Sequence, residues 1–139
     1  MARKRRNYVE IEEGDAVLRY FPHVNGGGMV EETAQVEASA YLESSAYVDP
    51  RARVEAGARL GRGAWVDRDA VVGEHVSMAE ATHLGPGAAL GRDVRVGART
   101  RIGARATVAA GVSLAADTVV PADAEVRESV DRPGVVRAA

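Results

Sequence analysis

The sequence predicts an all-β protein built as a parallel β-solenoid, and three observations carry that reading. An aliphatic residue recurs at every sixth position from Val30 to Val126. A small or β-branched residue follows each of them four positions later. The apolar set is alanine (26) and valine (21) far more than leucine (6) or isoleucine (2), with only 4% aromatics. A helix cannot use a period of six, because six residues advance about 600° at 3.6 residues per turn and smear the apolar stripe around the axis. Narrow, β-branched side chains suit a thin β core better than a helical bundle.

The elements follow in chain order. Residues 1–29 are expected to form a basic arm and a β cap or docking segment. Arg3, Lys4, Arg5 and Arg6 make a docking arm of +4, whereas residues 7–50 hold nine acids against Arg19. Such a cluster suits an acidic protein surface or a phosphate. Residues 7–21, NYVEIEEGDAVLRYF, alternate apolar and polar on either side of Glu13-Gly14-Asp15, which predicts a hairpin, and Pro22 ends its second strand. The open end of a solenoid exposes unpaired backbone, and this hairpin is the natural cover. Gly26, Gly27 and Gly28 read as a hinge; no helix start and no Lys-Ser/Thr follows them, so they are not a phosphate loop.

Residues 30–131 are the repeat. Seventeen consecutive hexads carry the aliphatic position, from Val30, Val36 and Leu42 through Leu84 to Val120 and Val126, and the small position, from Ala34 and Ala40 to Ala124 and Val130. The small residue and the next aliphatic lie two apart, so both point to the same side of a strand, inward. Gly, Asp or Ser often stands three residues after the aliphatic, as a corner demands. Residues 132–139 form a C-terminal tail opened by Arg132-Pro133-Gly134.

The pattern, written as LGRGAW, LGPGAA, LGRDVR, VGARTR and IGARAT, resembles the hexapeptide repeat of left-handed parallel β-helix proteins. That resemblance implies three hexads per triangular coil, hence between five and six coils and a prism roughly 27 Å long at a strand spacing of about 4.8 Å. The segment GGGMVEETAQVEASAYLESSAYV is also similar to the start of hexapeptide-repeat proteins from bacterial, phage and prophage sources.

Stacking every eighteen residues aligns outward side chains in columns. One wall carries Tyr47, Trp65, His83, Arg101 and Val119. A second carries Gln35, Arg53, Val71, Ala89, Thr107 and Glu125, and a third Tyr41, Arg59, Ser77, Arg95 and Ser113. Trp, Tyr and Arg favour interface centres, so Tyr47, Trp65, His83 and Arg101 are read as one half of a homotrimer interface, with the flatter Val71–Ala89 stretch as receiver.

Acyltransferases of this repeat family are usually trimeric and use a histidine as general base with coenzyme A in an intersubunit groove, which makes His83 the alternative catalytic candidate. They generally extrude a loop to enclose the substrate, and the uninterrupted repeat offers none. Carbonic anhydrases of the same fold bind zinc through three histidines, an arrangement that His23, His75 and His83 do not reproduce, so no metal is expected. The absence of cysteine removes disulfides and thiolate sites, no apolar run is long enough for a membrane helix, and no secretory leader follows the basic start. A net charge of −2 argues against nucleic acid as a partner. The resulting expectation is a non-enzymatic structural or binding module without cofactor, a homotrimer attached to a larger assembly such as a phage capsid, located in a virion or the cytoplasm. The alternative is a hexapeptide-repeat acyltransferase using coenzyme A thioesters.

Overall fold

The computed structural model describes residues 7–137, so the basic arm Arg3, Lys4, Arg5 and Arg6 lies outside the described residues. Among the described residues there are twenty strands and no helix, and hence no helix long and apolar enough to cross a membrane. Most strands are two residues long, one per hexad, and they stack in parallel as three sheets of nine, six and five strands that wind through about six turns. The predicted columns are the strand registers: Tyr47, Trp65, His83, Arg101 and Val119 are successive partners in the nine-stranded sheet. Val71 and Ala89 are partners in the six-stranded sheet.

Every inward position from Ala40 to Val126 is buried, with one continuous apolar core along the axis. Threonine replaces valine inside the core at Thr82, Thr100 and Thr118, and each hydroxyl is satisfied by a nearby carbonyl: Thr82 by Ala79 (2.9 Å), and Thr100 and Thr118 both by Ala115 (3.0 and 2.7 Å). A buried hydroxyl without such a partner would cost stability. The corner residue of each hexad from Arg51 to Asp123 takes φ between 56° and 77°. Nine of these corners are not glycine. The left-handed turn aims each corner N–H at the coil below, as in Asp93 to the Glu74 carbonyl (2.9 Å) and His75 to the Ala56 carbonyl (3.0 Å). Bidentate pairs between corners one coil apart, Arg51–Asp69, Arg99–Asp117 and Arg105–Asp123, cover the edges.

The N-terminal hairpin consists of β1 (Val9–Glu13) and β2 (Ala16–Pro22), paired antiparallel in five-residue register across Gly14-Asp15. It is continuous with the prism, because β2 pairs antiparallel with β3 (Met29–Glu31), whose other edge joins Tyr47–Val48 in parallel. The glycine hinge makes this join possible. A Cβ on Gly26 would lie 2.1 Å from the Leu42 carbonyl oxygen, and one on Gly28 2.5 Å from the Leu42 Cβ. At the far end Gly134–Val135 adds a last parallel strand beside Thr118–Val119.

Candidate active site

The outward wall of the nine-stranded sheet holds a stack of rings. Tyr47 and Trp65 lie 5.7 Å apart between centroids at 22°, and Trp65 and His83 3.9 Å apart at 14°. The stack follows from the eighteen-residue period, which sets aromatic side chains in register on adjacent strands where their faces meet.

Beside the rings runs a column of acids at the same interval: Glu31, Asp49 and Asp67. Each stands two residues after a wall residue, so it points to the same side of the sheet. The Trp65 indole Nε1–H donates to Asp49 Oδ2 (2.7 Å), and one coil later His83 Nε2 meets Asp67 Oδ2 at 2.9 Å. A carboxylate only accepts, so Nε2 carries a proton, and in the neutral ring Nδ1 then keeps its lone pair. No described residue bonds Nδ1. Since no buried side-chain nitrogen or oxygen of the described residues is left without a partner, Nδ1 is open to solvent. The other Asp67 oxygen takes the Arg68 backbone N–H (2.8 Å), which fixes the carboxylate. The His83 and Asp67 side chains are 29% and 13% exposed, a setting in which their interaction is less screened than on an open surface.

Asp49 is buried and completes a second link. Its Oδ1 accepts the Tyr20 hydroxyl at 2.6 Å, from strand β2 of the hairpin. Burial, followed by the hydrogen bond and charge of Asp49, pushes the Tyr20 hydroxyl above its ordinary range; burial and the charges of Asp49 and Asp67 also push Tyr47 up. Glu31 is satisfied locally by Thr33, through its backbone N–H (2.7 Å) and hydroxyl (3.1 Å). The acid column stops at Gly85, where a Cβ would lie 2.6 Å from the Ile102 carbonyl oxygen. The Arg101 guanidinium, in register after His83, therefore has no carboxylate below it and makes no ion pair among the described residues.

The hairpin lies along this wall. Glu13 at its turn pairs with Arg68, next to Asp67, while Tyr20 grips Asp49. One flank of the ring column is therefore covered without any interruption of the repeat. The sequence reading, which sought an extruded loop, missed this flank, and it missed Tyr20, Asp49 and Asp67 as well. The signal for the acids was present in the eighteen-residue interval 31, 49, 67. The link to Tyr20 depends on how the hairpin folds back, which no periodicity encodes.

No protein-family model matches the chain, and no curated protein sequence matches it. Among solved structures it is similar to a histidine-to-asparagine variant of perosamine N-acetyltransferase from Caulobacter crescentus in complex with CoA and GDP-perosamine, with 32% identity over 83% of this chain and 53% of that one and a TM-score of 0.74. It is also similar to the acetyltransferase domain of PglB from Neisseria gonorrhoeae in complex with acetyl coenzyme A, with 25% identity over 77% of this chain and 52% of that one and a TM-score of 0.76. The chain shares the hexapeptide repeat and the stacked β-solenoid of these acetyltransferases, consistent with the hexapeptide-repeat, left-handed β-helix family. This hexapeptide-repeat protein spans about half the length of the neighbours it matches.

These neighbours correct the functional expectation. A non-enzymatic structural module serving as a virion or capsid-decoration protein is overturned by similarity to acetyltransferases that bind coenzyme A. The physical ground of the earlier expectation also falls. It rested on a lone histidine and an uncovered wall, whereas His83 has a buried-side carboxylate partner and the hairpin covers the flank.

Proposed function

We propose that this hexapeptide-repeat protein is a coenzyme A-dependent acyltransferase in which His83 is the general base and Asp67 orients it. The observation that carries the reading is the His83 Nε2–Asp67 Oδ2 contact at 2.9 Å, which engages Nε2 and leaves Nδ1 without a partner among the described residues. His83 Nδ1 takes the proton from the acceptor's amine or hydroxyl and returns it to the departing sulfur, while Asp67 steadies the imidazolium between the two transfers. The coenzyme A thioester supplies the activated acyl group.

The residues present suit that anionic substrate. Among the described residues neither Arg101, one coil beyond His83, nor Arg95 on the neighbouring wall has a counter-ion. Both are available to phosphate oxygens. A homotrimer, with Tyr47, Trp65, His83 and Arg101 on one side of a groove and the Val71–Ala89 wall of a neighbouring copy on the other, would close the second flank. In this reading the hairpin from Val9 to Pro22 contributes the flank, residues 30–131 the coils and Gly134–Val135 the final strand.

The test is calorimetric titration with acetyl-coenzyme A alongside native mass determination. Micromolar binding by a trimer, and turnover lost in His83→Ala, is the expected result. Failure to bind acetyl-coenzyme A at millimolar concentration would refute the reading.

A further inference from the structure

Between the underside of the hairpin and the start of the ring stack lies a cavity of about 380 Å³ that the chemistry above does not use. Val9, Ile11 and Tyr20 of the hairpin form one side, and Met29, Ser44 and Tyr47 of the first coils the other. The hairpin register explains the apolar side: Val9 is paired with Tyr20 and Ile11 with Leu18, so these residues share one face. The volume is within the range of small-molecule sites.

We propose that this cavity is the acceptor subsite and that it takes an aliphatic or alicyclic, uncharged group, the acceptor being an elongated amphiphile with its amine or hydroxyl at the other end. The proposal rests on the acyltransferase reading and adds a substrate class to it. Three features choose the occupant. Among the described residues no charged side chain lines the cavity, so they offer nothing to hold the phosphates of a nucleotide or of the thioester. Tyr47 is both a cavity wall and the first ring of the stack, which makes cavity and base one continuous surface. Two stacking intervals, 5.7 and 3.9 Å, separate Tyr47 from His83, so a group seated in the cavity presents its nucleophile at the imidazole only if a chain spans them.

The experiment uses methylamine, n-butylamine and n-octylamine as acceptors with acetyl-coenzyme A, following thiol release. The expected kcat/KM rises from methylamine to octylamine by roughly tenfold or more, since each buried methylene multiplies binding about three- to fourfold. Ile11→Asp flattens that rise. Val17→Ser, on the other face of the hairpin, leaves it intact. Equal rates across the amines would overturn the proposal. So would a dependence on acyl length, read with octanoyl-coenzyme A, instead of on amine length, because the cavity would then seat the thioester's own tail. A second readout needs no turnover: 1-octanol titrated into the 15N-labelled protein shifts the amide signals of Ser44 to Tyr47. Shifts without turnover by any amine keep the cavity as an apolar binding site but remove its acceptor role together with the acyltransferase reading. Turnover without shifts refutes the cavity alone, as does a cavity already filled by a neighbouring copy.

Discussion

Trp65 holds, one coil earlier, the place that His83 holds over Asp67: each ring N–H reaches a carboxylate sixteen residues behind it, at 2.7 and 2.9 Å, and the two rings lie face to face. The repeat has thus produced the same ring–acid unit twice. Only one copy has a ring nitrogen free to take a proton, because indole is a donor only.

Asp67→Asn is expected to lower kcat by about tenfold or more, a part of the roughly 10²–10⁴ that a positioned general base supplies. The KM for acetyl-coenzyme A stays near the wild-type value, because Asp67 is placed to act on the histidine. Steady-state kinetics with saturating acceptor check this; unchanged kcat would show that the carboxylate does not orient the base.

Tyr20→Phe removes a donor from a buried carboxylate and is expected to cost about 1–3 kcal/mol in urea unfolding. Its pH dependence is a sharper signature. The Tyr20 hydroxyl is raised above its ordinary value of 10.0, so the folded state retains a proton that the unfolded chain releases. That contribution is complete below pH 10 and is lost as pH rises above it. Unfolding curves at pH 8 and pH 11 should converge for Tyr20→Phe and wild type at the higher pH. A constant gap would exclude the linkage.

The corner pairs give the opposite pH signature. Asp69, Asp117 and Asp123 are lowered by hydrogen bonds from Arg51, Arg99 and Arg105. A depressed carboxylate stabilises above its unfolded value and loses that contribution as pH falls through the acid range. These groups are exposed, so their share is small and screened. The triple Asp→Asn variant is expected to differ from wild type in Tm at pH 6 and low salt, and to match it at pH 2 or in 1 M NaCl.

Leu84→Ala empties the core directly behind His83 and is expected to cost about 2–5 kcal/mol. Leu84 is fully buried and in register with Val66 and Ile102, and the side chains around it come from a stacked coil that cannot close in on the gap. Denaturant unfolding measures the loss; a cost under 1 kcal/mol would mean the coils relax more than stacked strands allow.

The hexad rule made the prism legible because every inward position performs the same task, and from Ala40 to Val126 each one is buried as the period requires. It made the columns legible for the same reason, and His83 was found as a wall residue. Asp67 was overlooked because the hexad rule concerns inward positions and does not separate a shielded wall acid from a solvated one; only the eighteen-residue interval of 31, 49 and 67 marks the column. The hairpin was legible as two strands around Gly14, yet its grip on Asp49 and Arg68 was not. Those contacts join residues 29 and 55 positions apart, outside any local pattern.

The strict spacing also fixes how such a chain can change its length. One inserted residue would turn the downstream inward set toward water, a change the core would not survive. Six inserted residues would preserve the core yet carry each later side chain around the prism to the next face, parting His83 from Trp65 if inserted between them. Eighteen would add one storey and restore each side chain to its own wall. The molecule can therefore be lengthened without losing its chemistry only in whole coils, and only above or below the pair of storeys that hold Asp67 and His83.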